Sequence, residues 1–168
     1  MASSPTGRQA LIVAGNDREN WTNKSLRLCD IESAACHALL TRPGTVDLDV
    51  DWAPHSNRIA FVRARDLGPV GGFRSAGALQ GWVNTRMLWV AHADGTGAHE
   101  VTAAGRGIYR PRWSRDGRHV LYVRDNALWL IDVRGGAPVR ILGPFPGKPD
   151  YFGFYGHVQW PMTWVWNR

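Results

Sequence analysis

Asp47, Asp49 and Asp51 alternate with apolar residues in the run Val46 to Trp52. On an extended strand alternate residues share a face, so this spacing lines up three carboxylates that a hard cation could bridge. The simpler expectation is the solvated start of a strand. Ser75 sits in Gly72-Phe-Arg-Ser-Ala-Gly77, one residue away from the Gly-x-Ser-x-Gly turn that strains a hydrolase nucleophile into exposure. His99-Glu100 opens a zinc-helix pattern, but Ala103 stands where the second His belongs, and the segment reads as a strand. Gly143-Pro-Phe-Pro-Gly-Lys148 is a residue short of a phosphate loop and has Pro149 in place of the Ser or Thr that would hold magnesium. The six His residues are scattered. No catalytic, cofactor-binding or metal-ligating residue is therefore assigned, no cofactor is implied, and the chain is not expected to be an enzyme.

The elements around these residues are short. Arg110 to Leu142 contains four runs of strand length, namely Arg110–Trp113, Val120–Val123, Leu128–Asp132 and Val139–Leu142, the last three mostly apolar. Asp116-Gly117, Asp125-Asn126 and Gly135-Gly136 separate them, and these pairs supply the positive φ that tight hairpin turns require. Runs closed so often leave no room for a helix, so the unit is predicted to be a four-stranded β-meander.

That meander recurs, and the recurrence fixes the architecture. Trp52-Ala-Pro-His-Ser-Asn-Arg-Ile-Ala-Phe61 aligns without a gap on Trp113-Ser-Arg-Asp-Gly-Arg-His-Val-Leu-Tyr122, and Leu88-Trp-Val90 with Asp94-Gly95 aligns on Leu128-Trp-Leu130. Leu26–Asp30 and Ala38–Thr41 repeat the third and fourth strands once more. At these residues the chain resembles the TolB-type β-propeller repeat of bacteria, whose pattern runs Trp-Ser-Pro-Asp-Gly-Arg, a strand, Leu-Trp-Val-x-Asp, Asp-Gly, and a strand ending Leu-Thr. Ser4-Pro-Thr-Gly-Arg8 also fits its first turn. The resemblance covers almost the whole chain. It implies an all-β fold of four-stranded antiparallel propeller blades in an incomplete ring of three to four blades.

Within 1–168, blade 1 is placed at about 7–42, blade 2 at 46–102, blade 3 at 105–142 and an aromatic closing segment at 150–168. Blade 1 is expected to lack its innermost strand, and His157–Trp160 to supply an extra one. These complementary deficits suggest a homodimer in which two copies exchange terminal strands onto Ala10–Ala14 to complete a six-bladed ring. His92, His99 and His157 could meet in the channel of such a ring, although isolated strand histidines are more often hydrogen-bonded structural groups.

Composition bounds the partners. Twenty Lys and Arg against fourteen Asp and Glu leave a net charge of +6. The arginines occur singly, at turns and strand ends, so they are expected to be solvated; nucleic acid is not favoured as a partner. No apolar stretch is long enough to span a membrane and no leader-like segment follows Met1, which points to a cytoplasmic location, or an extracytoplasmic one if this is a piece of a longer TolB-like chain. Cys29 and Cys36 flank one hairpin whose turn is placed nearer Cys36. That puts the thiols out of register and predicts that they stay reduced. Trp52, Trp89, Trp113 and Trp129 stand at matching repeat positions and are expected in the core.

Trp52 and Trp113 are 61 residues apart whereas Trp113 and Trp160 are 47 apart, so blade 2 carries an insertion, placed at 65–85. Long loops in compact domains are often functional. Phe73 and Trp82, with Arg74 and Arg86 beside them, are the candidate partner contacts, as exposed anchors of the aromatic and Arg type that dominates binding hot spots. The expected function is a non-enzymatic binding or scaffolding module for a protein or peptide partner. The competing expectation is the propeller part of a longer peptidase or lyase.

Overall fold

The computed structural model describes residues 1–15, 22–68, 75–102 and 107–144. Three four-stranded antiparallel sheets follow one another along the chain, each in simple meander order. Blade 1 comprises β1 (Ala2–Ser3), β2 (Gln9–Ala14), β3 (Ser25–Asp30) and β4 (Cys36–Leu39). Blade 2 comprises β5 (Thr45–Trp52), β6 (Arg58–Arg65), β7 (Met87–His92) and β8 (His99–Glu100), with the helix α1 (Ala76–Val83) between β6 and β7. Blade 3 comprises β9 (Tyr109–Trp113), β10 (His119–Arg124), β11 (Ala127–Asp132) and β12 (Val139–Leu142).

The first turns of blades 1 and 3 are chemically the same turn. Ser4 Oγ accepts from the Gln9 amide at 3.0 Å, and Ser114 Oγ accepts from the His119 amide at 3.0 Å. Gly7 and Gly117 take φ of 71° and 64°, and each donates its amide to the serine carbonyl three residues back. Asp125 and Asn126 take φ of 49° and 55°, as a two-residue hairpin turn demands. That turn fixes the register of the next hairpin, with Arg124 opposite Ala127 and Tyr122 opposite Trp129.

Blade 2 is packed between the other two, so its strand β6 is buried on both sides. In β6, Ile59 and Phe61 face blade 1 with Leu11, Leu26 and Trp52, while Ala60 and Val62 face blade 3 with Trp113 and Tyr122. This is why the segment reads as an almost unbroken apolar run, whereas a one-sided sheet would alternate with polar residues. Trp52 and Trp113 are buried as expected; Trp89 and Trp129 are only partly buried.

Three expectations are corrected here. Blade 1 does have a first strand: β1 pairs with β2 through Ala2 opposite Leu11 and Ser3 opposite Ala10. The edge that strand exchange in a homodimer would fill is thus partly occupied by the chain's own residues. His157–Trp160, the strand to be exchanged, lies outside the described residues. The insertion is not a bare loop. Ser75 caps α1, accepting from the Ala78 amide at 3.1 Å, and α1 lays Trp82 and Val83 into the core between blades 2 and 3.

The third correction concerns the cysteines, which form a disulfide. Asp30 Oδ1 accepts from both the amide and the hydroxyl of Ser33, and Ala34 takes φ of 56°. The turn therefore closes with the Asp30 amide donating to the Ala35 carbonyl at 2.9 Å, and it does not shift towards Cys36 as the repeat alignment implied. Cys36 then opens β4 directly opposite Cys29, with the Cα atoms 4.1 Å apart. Opposed strand positions at that separation are within bridging reach.

Candidate binding surface

The acidic strand β5 lies between the blades. It packs against β9 on one side and against β1, β2 and β3 on the other. Asp47 Oδ1 accepts from Arg63 Nε at 2.6 Å and its Oδ2 from Arg63 Nη2 at 3.1 Å, with both side chains 4% exposed. Arg63 also donates to the Leu40 carbonyl at 2.7 Å, which ties blade 2 to blade 1. Asp49 binds the backbone amide of Arg110 at 3.1 Å and its guanidinium at 3.4 Å. Asp51 binds the Trp113 amide at 2.9 Å and the Arg112 guanidinium at 3.2 Å.

Neither a bridging cation nor a solvated strand start describes this arrangement: Asp49 and Asp51 join blade 2 to blade 3 through Arg110 and Arg112, while Asp47 holds Arg63 of its own blade, whose guanidinium reaches Leu40 of blade 1. Burial pushes the Asp47 carboxyl above its ordinary value, and this desolvation outweighs the opposing pull of Arg63. Asp51 is raised for the same reason, against the Trp113 amide and Arg112. Arg110 holds φ of 51° at a bulge in β9, opposite the bulge in β5 where Asp49 sits.

The basic excess is likewise structural in part. Arg63, Arg86 and Arg124 are buried, which corrects the expectation of solvated arginines. Arg86 stacks on Trp82 at 4.8 Å and Tyr109 at 4.2 Å, while Trp82 donates its indole N–H to the Arg65 carbonyl at 2.8 Å. Trp82, 1% exposed, and Arg86, 5% exposed, are thus a latch between blades and not exposed anchors. Phe73 and Arg74 lie outside the described residues. His92 and His99 are exposed on β7 and β8, the third and fourth strands of blade 2. His99 Nδ1 is 2.8 Å from the Gly97 carbonyl.

Two surface features were not singled out in the sequence. Val139, Ile141 and Leu142 of β12 are each more than half exposed, and they make up most of the exposed large apolar side chains among the described residues. Among the described residues β12 is also the outer strand of its sheet, pairing only with β11. The second feature is a cleft of about 350 Å³ lined by Val101 and Thr102 after β8 and by Arg124, Trp129, Ile131, Gly136 and Pro138 of blade 3. Its Arg124 was legible in principle: the Asp125-Asn126 turn sets Arg124 diagonal to Trp129, and the guanidinium stacks 3.6 Å above that ring. Exposure of β12 had no such signal, because an apolar strand looks the same whether or not a neighbour covers it.

Comparison with known proteins supports the fold class. No protein-family model matches the chain, and no curated protein matches it. Solved structures do. A putative TolB from Agrobacterium tumefaciens matches over 83% of this chain and 47% of its own length, at 18% identity and a TM-score of 0.62. TolB from Acinetobacter baumannii matches over 83% of this chain and 30% of its own, at 12% identity and a TM-score of 0.57. A nidogen/laminin complex matches over 84% of this chain and 47% of that one, at 12% identity and a TM-score of 0.56. The chain is therefore a β-propeller fold, a partial one of three described blades. Its blades are TolB-like, and it spans less than half the length of these neighbours.

Proposed function

We propose that the chain is a non-enzymatic binding module that takes an extended segment of another protein along β12. The exposed edge of β12 carries this reading. An unpaired strand edge offers a row of backbone donors and acceptors, and natural sheets ordinarily blunt such an edge with charge, Pro or a bulge. Here Arg140 alone is charged among four residues that include Val139, Ile141 and Leu142, and the one irregularity is a register shift against β11 at Ile141. Strand addition takes its affinity from main-chain hydrogen bonds and its specificity from alternate side chains, which suits this composition. A β-propeller solved in a nidogen/laminin complex gives the fold a precedent in a protein–protein assembly. The Cys29–Cys36 bridge supports work in an oxidising compartment, where such bonds persist.

The test is a peptide library selected on the full chain and re-measured against Ile141→Lys and Val139→Lys. Both positions are exposed, so each variant should keep wild-type stability within about 0.5 kcal/mol. Selected peptides should alternate apolar and polar residues and lose affinity at least tenfold on either variant. Failure to enrich any peptide, or affinity indifferent to both variants, contradicts the proposal.

A further inference from the structure

The cleft between blades 2 and 3 holds a buried cation with an incomplete set of partners. Arg124 is 8% exposed in its side chain. Its Nε has no hydrogen-bond acceptor among the described residues; the Asp125 carboxylate stands 3.3 Å away as an ion pair without hydrogen-bond geometry. Asp125 is itself 79% exposed, at the tip of the hairpin turn, so water competes for it continuously. A guanidinium carries five N–H donors, and a buried one is costly unless they are satisfied. Thr102, 6% exposed, lines the same cleft. Its hydroxyl oxygen accepts from the Leu88 amide at 3.0 Å, which leaves the hydroxyl proton to donate elsewhere.

The remaining walls are apolar: Val101, Ile131, Pro138 and the ring of Trp129. Gly136, at φ of 122°, adds no side chain, and a Cβ there would meet nothing within 4 Å. Two buried donor groups thus lie beside apolar walls in a space of about 350 Å³, near the lower limit of small-ligand pockets. This combination selects a carboxylate and an apolar side chain carried on the same carbon. The terminal residue of a peptide has that form. An internal Asp or Glu does not, since its sequence neighbours point to the opposite face of an extended chain.

We infer that this cleft is a carboxylate-binding site that captures an apolar C-terminal residue, with Arg124 and Thr102 holding the carboxylate and Trp129, Ile131 and Val101 holding the side chain. Asp125 is the internal competitor: it occupies the guanidinium from the solvent side until a ligand carboxylate replaces it. The site is distinct from β12, so its failure leaves the strand-addition proposal standing, and the reverse.

The probes are N-acetyl-leucine, its neutral amide, and N-acetyl-glutamate α-methylamide, titrated into the full chain while the Trp129 indole N–H is followed by NMR. N-acetyl-leucine should shift that signal saturably, and the amide should bind at least tenfold more weakly. Arg124→Gln should weaken N-acetyl-leucine at least tenfold, whereas Asp125→Asn should strengthen it severalfold by removing the competitor. These opposite responses on adjacent residues are not what a purely structural ion pair would give. Should Arg124→Gln fail to fold, Asp125→Asn decides alone, because Asn tolerates the positive φ of that turn. Equal binding of acid and amide, no saturable shift, or unchanged or weaker binding by Asp125→Asn overturns the inference. Preference for the glutamate side chain overturns the assignment to a chain terminus.

Discussion

Replacing Asp47 by Leu should strand the Arg63 guanidinium in the contact between blades 1 and 2. Both side chains are 4% exposed and share two hydrogen bonds, at 2.6 and 3.1 Å. Breaking such a pair from one side costs about 3–5 kcal/mol, because the remaining charge stays buried without its partner. That is a large fraction of the 5–15 kcal/mol typical of a whole domain. Arg63→Met should cost less, about 2–3 kcal/mol, because burial already raises the Asp47 carboxyl and the stranded acid can take up a proton. The double variant removes both charges, and apolar replacements of buried pairs are often nearly neutral. It also loses the Arg63 bond to the Leu40 carbonyl and the stacking on Phe61 and Trp89, so about 1–2 kcal/mol should remain. Urea titrations followed by Trp fluorescence give the four stabilities and hence the coupling, expected above about 2 kcal/mol. Additive single effects, or a loss under 1 kcal/mol for Asp47→Leu, would refute the claim that the buried Asp47–Arg63 pair supports the contact between blades 1 and 2.

Trp113→Ala should cost about 3–5 kcal/mol, since the ring is 2% exposed between blades, and Trp129→Ala clearly less, by the same urea titration. Trp82→Ala should cost a similar ~3–5 kcal/mol, and trimming 66–85 to a tight turn should unfold the chain; a stable trimmed protein would show that α1 is dispensable. Reducing Cys29–Cys36 should lower stability by about 2 kcal/mol, the loop-closure entropy of a short ring, with thermal melts with and without reductant as the readout. Acid should be tolerated until pH falls below 3.8. Asp30, Asp94 and Asp116 are held below that value by hydrogen bonds from Ser33, Thr96 and Ser114 respectively, so their contribution is present above 3.8 and disappears as pH falls through the depressed values. Asp47 and Asp51, raised by burial, bind protons more readily folded than unfolded, so their ionisation costs stability above 3.8 and acidification towards that value relieves the cost rather than adding to it. Steep loss of stability already at pH 5 in a pH series of urea titrations would contradict this balance.

Blade architecture was legible because it is written locally. A Gly or Asp-Asn turn dictates a hairpin, the hairpin dictates register, and the spacing of Trp52 and Trp113 repeats the unit. What sequence spacing misjudged depended on what lies across a blade interface. Asp49 and Asp51 look solvated until β9 is laid beside them with Arg110 and Arg112 in reach. Trp82 looks like a loop anchor until α1 turns it inward, and a turn placed too near Cys36 hid the Cys29–Cys36 pairing. The surface was the least legible. Whether Val139, Ile141 and Leu142 are core or contact depends on the neighbour of β12, which no local rule specifies.

Amide hydrogen exchange along β12, with and without a saturating selected peptide, tests the proposed function most directly. An edge strand left open to solvent exchanges its outward amides quickly, and strand addition buries them in new main-chain bonds. The account predicts strong new protection confined to 139–142 and its immediate flank, absent in Ile141→Lys. Protection that appears elsewhere while β12 exchanges as before would contradict it.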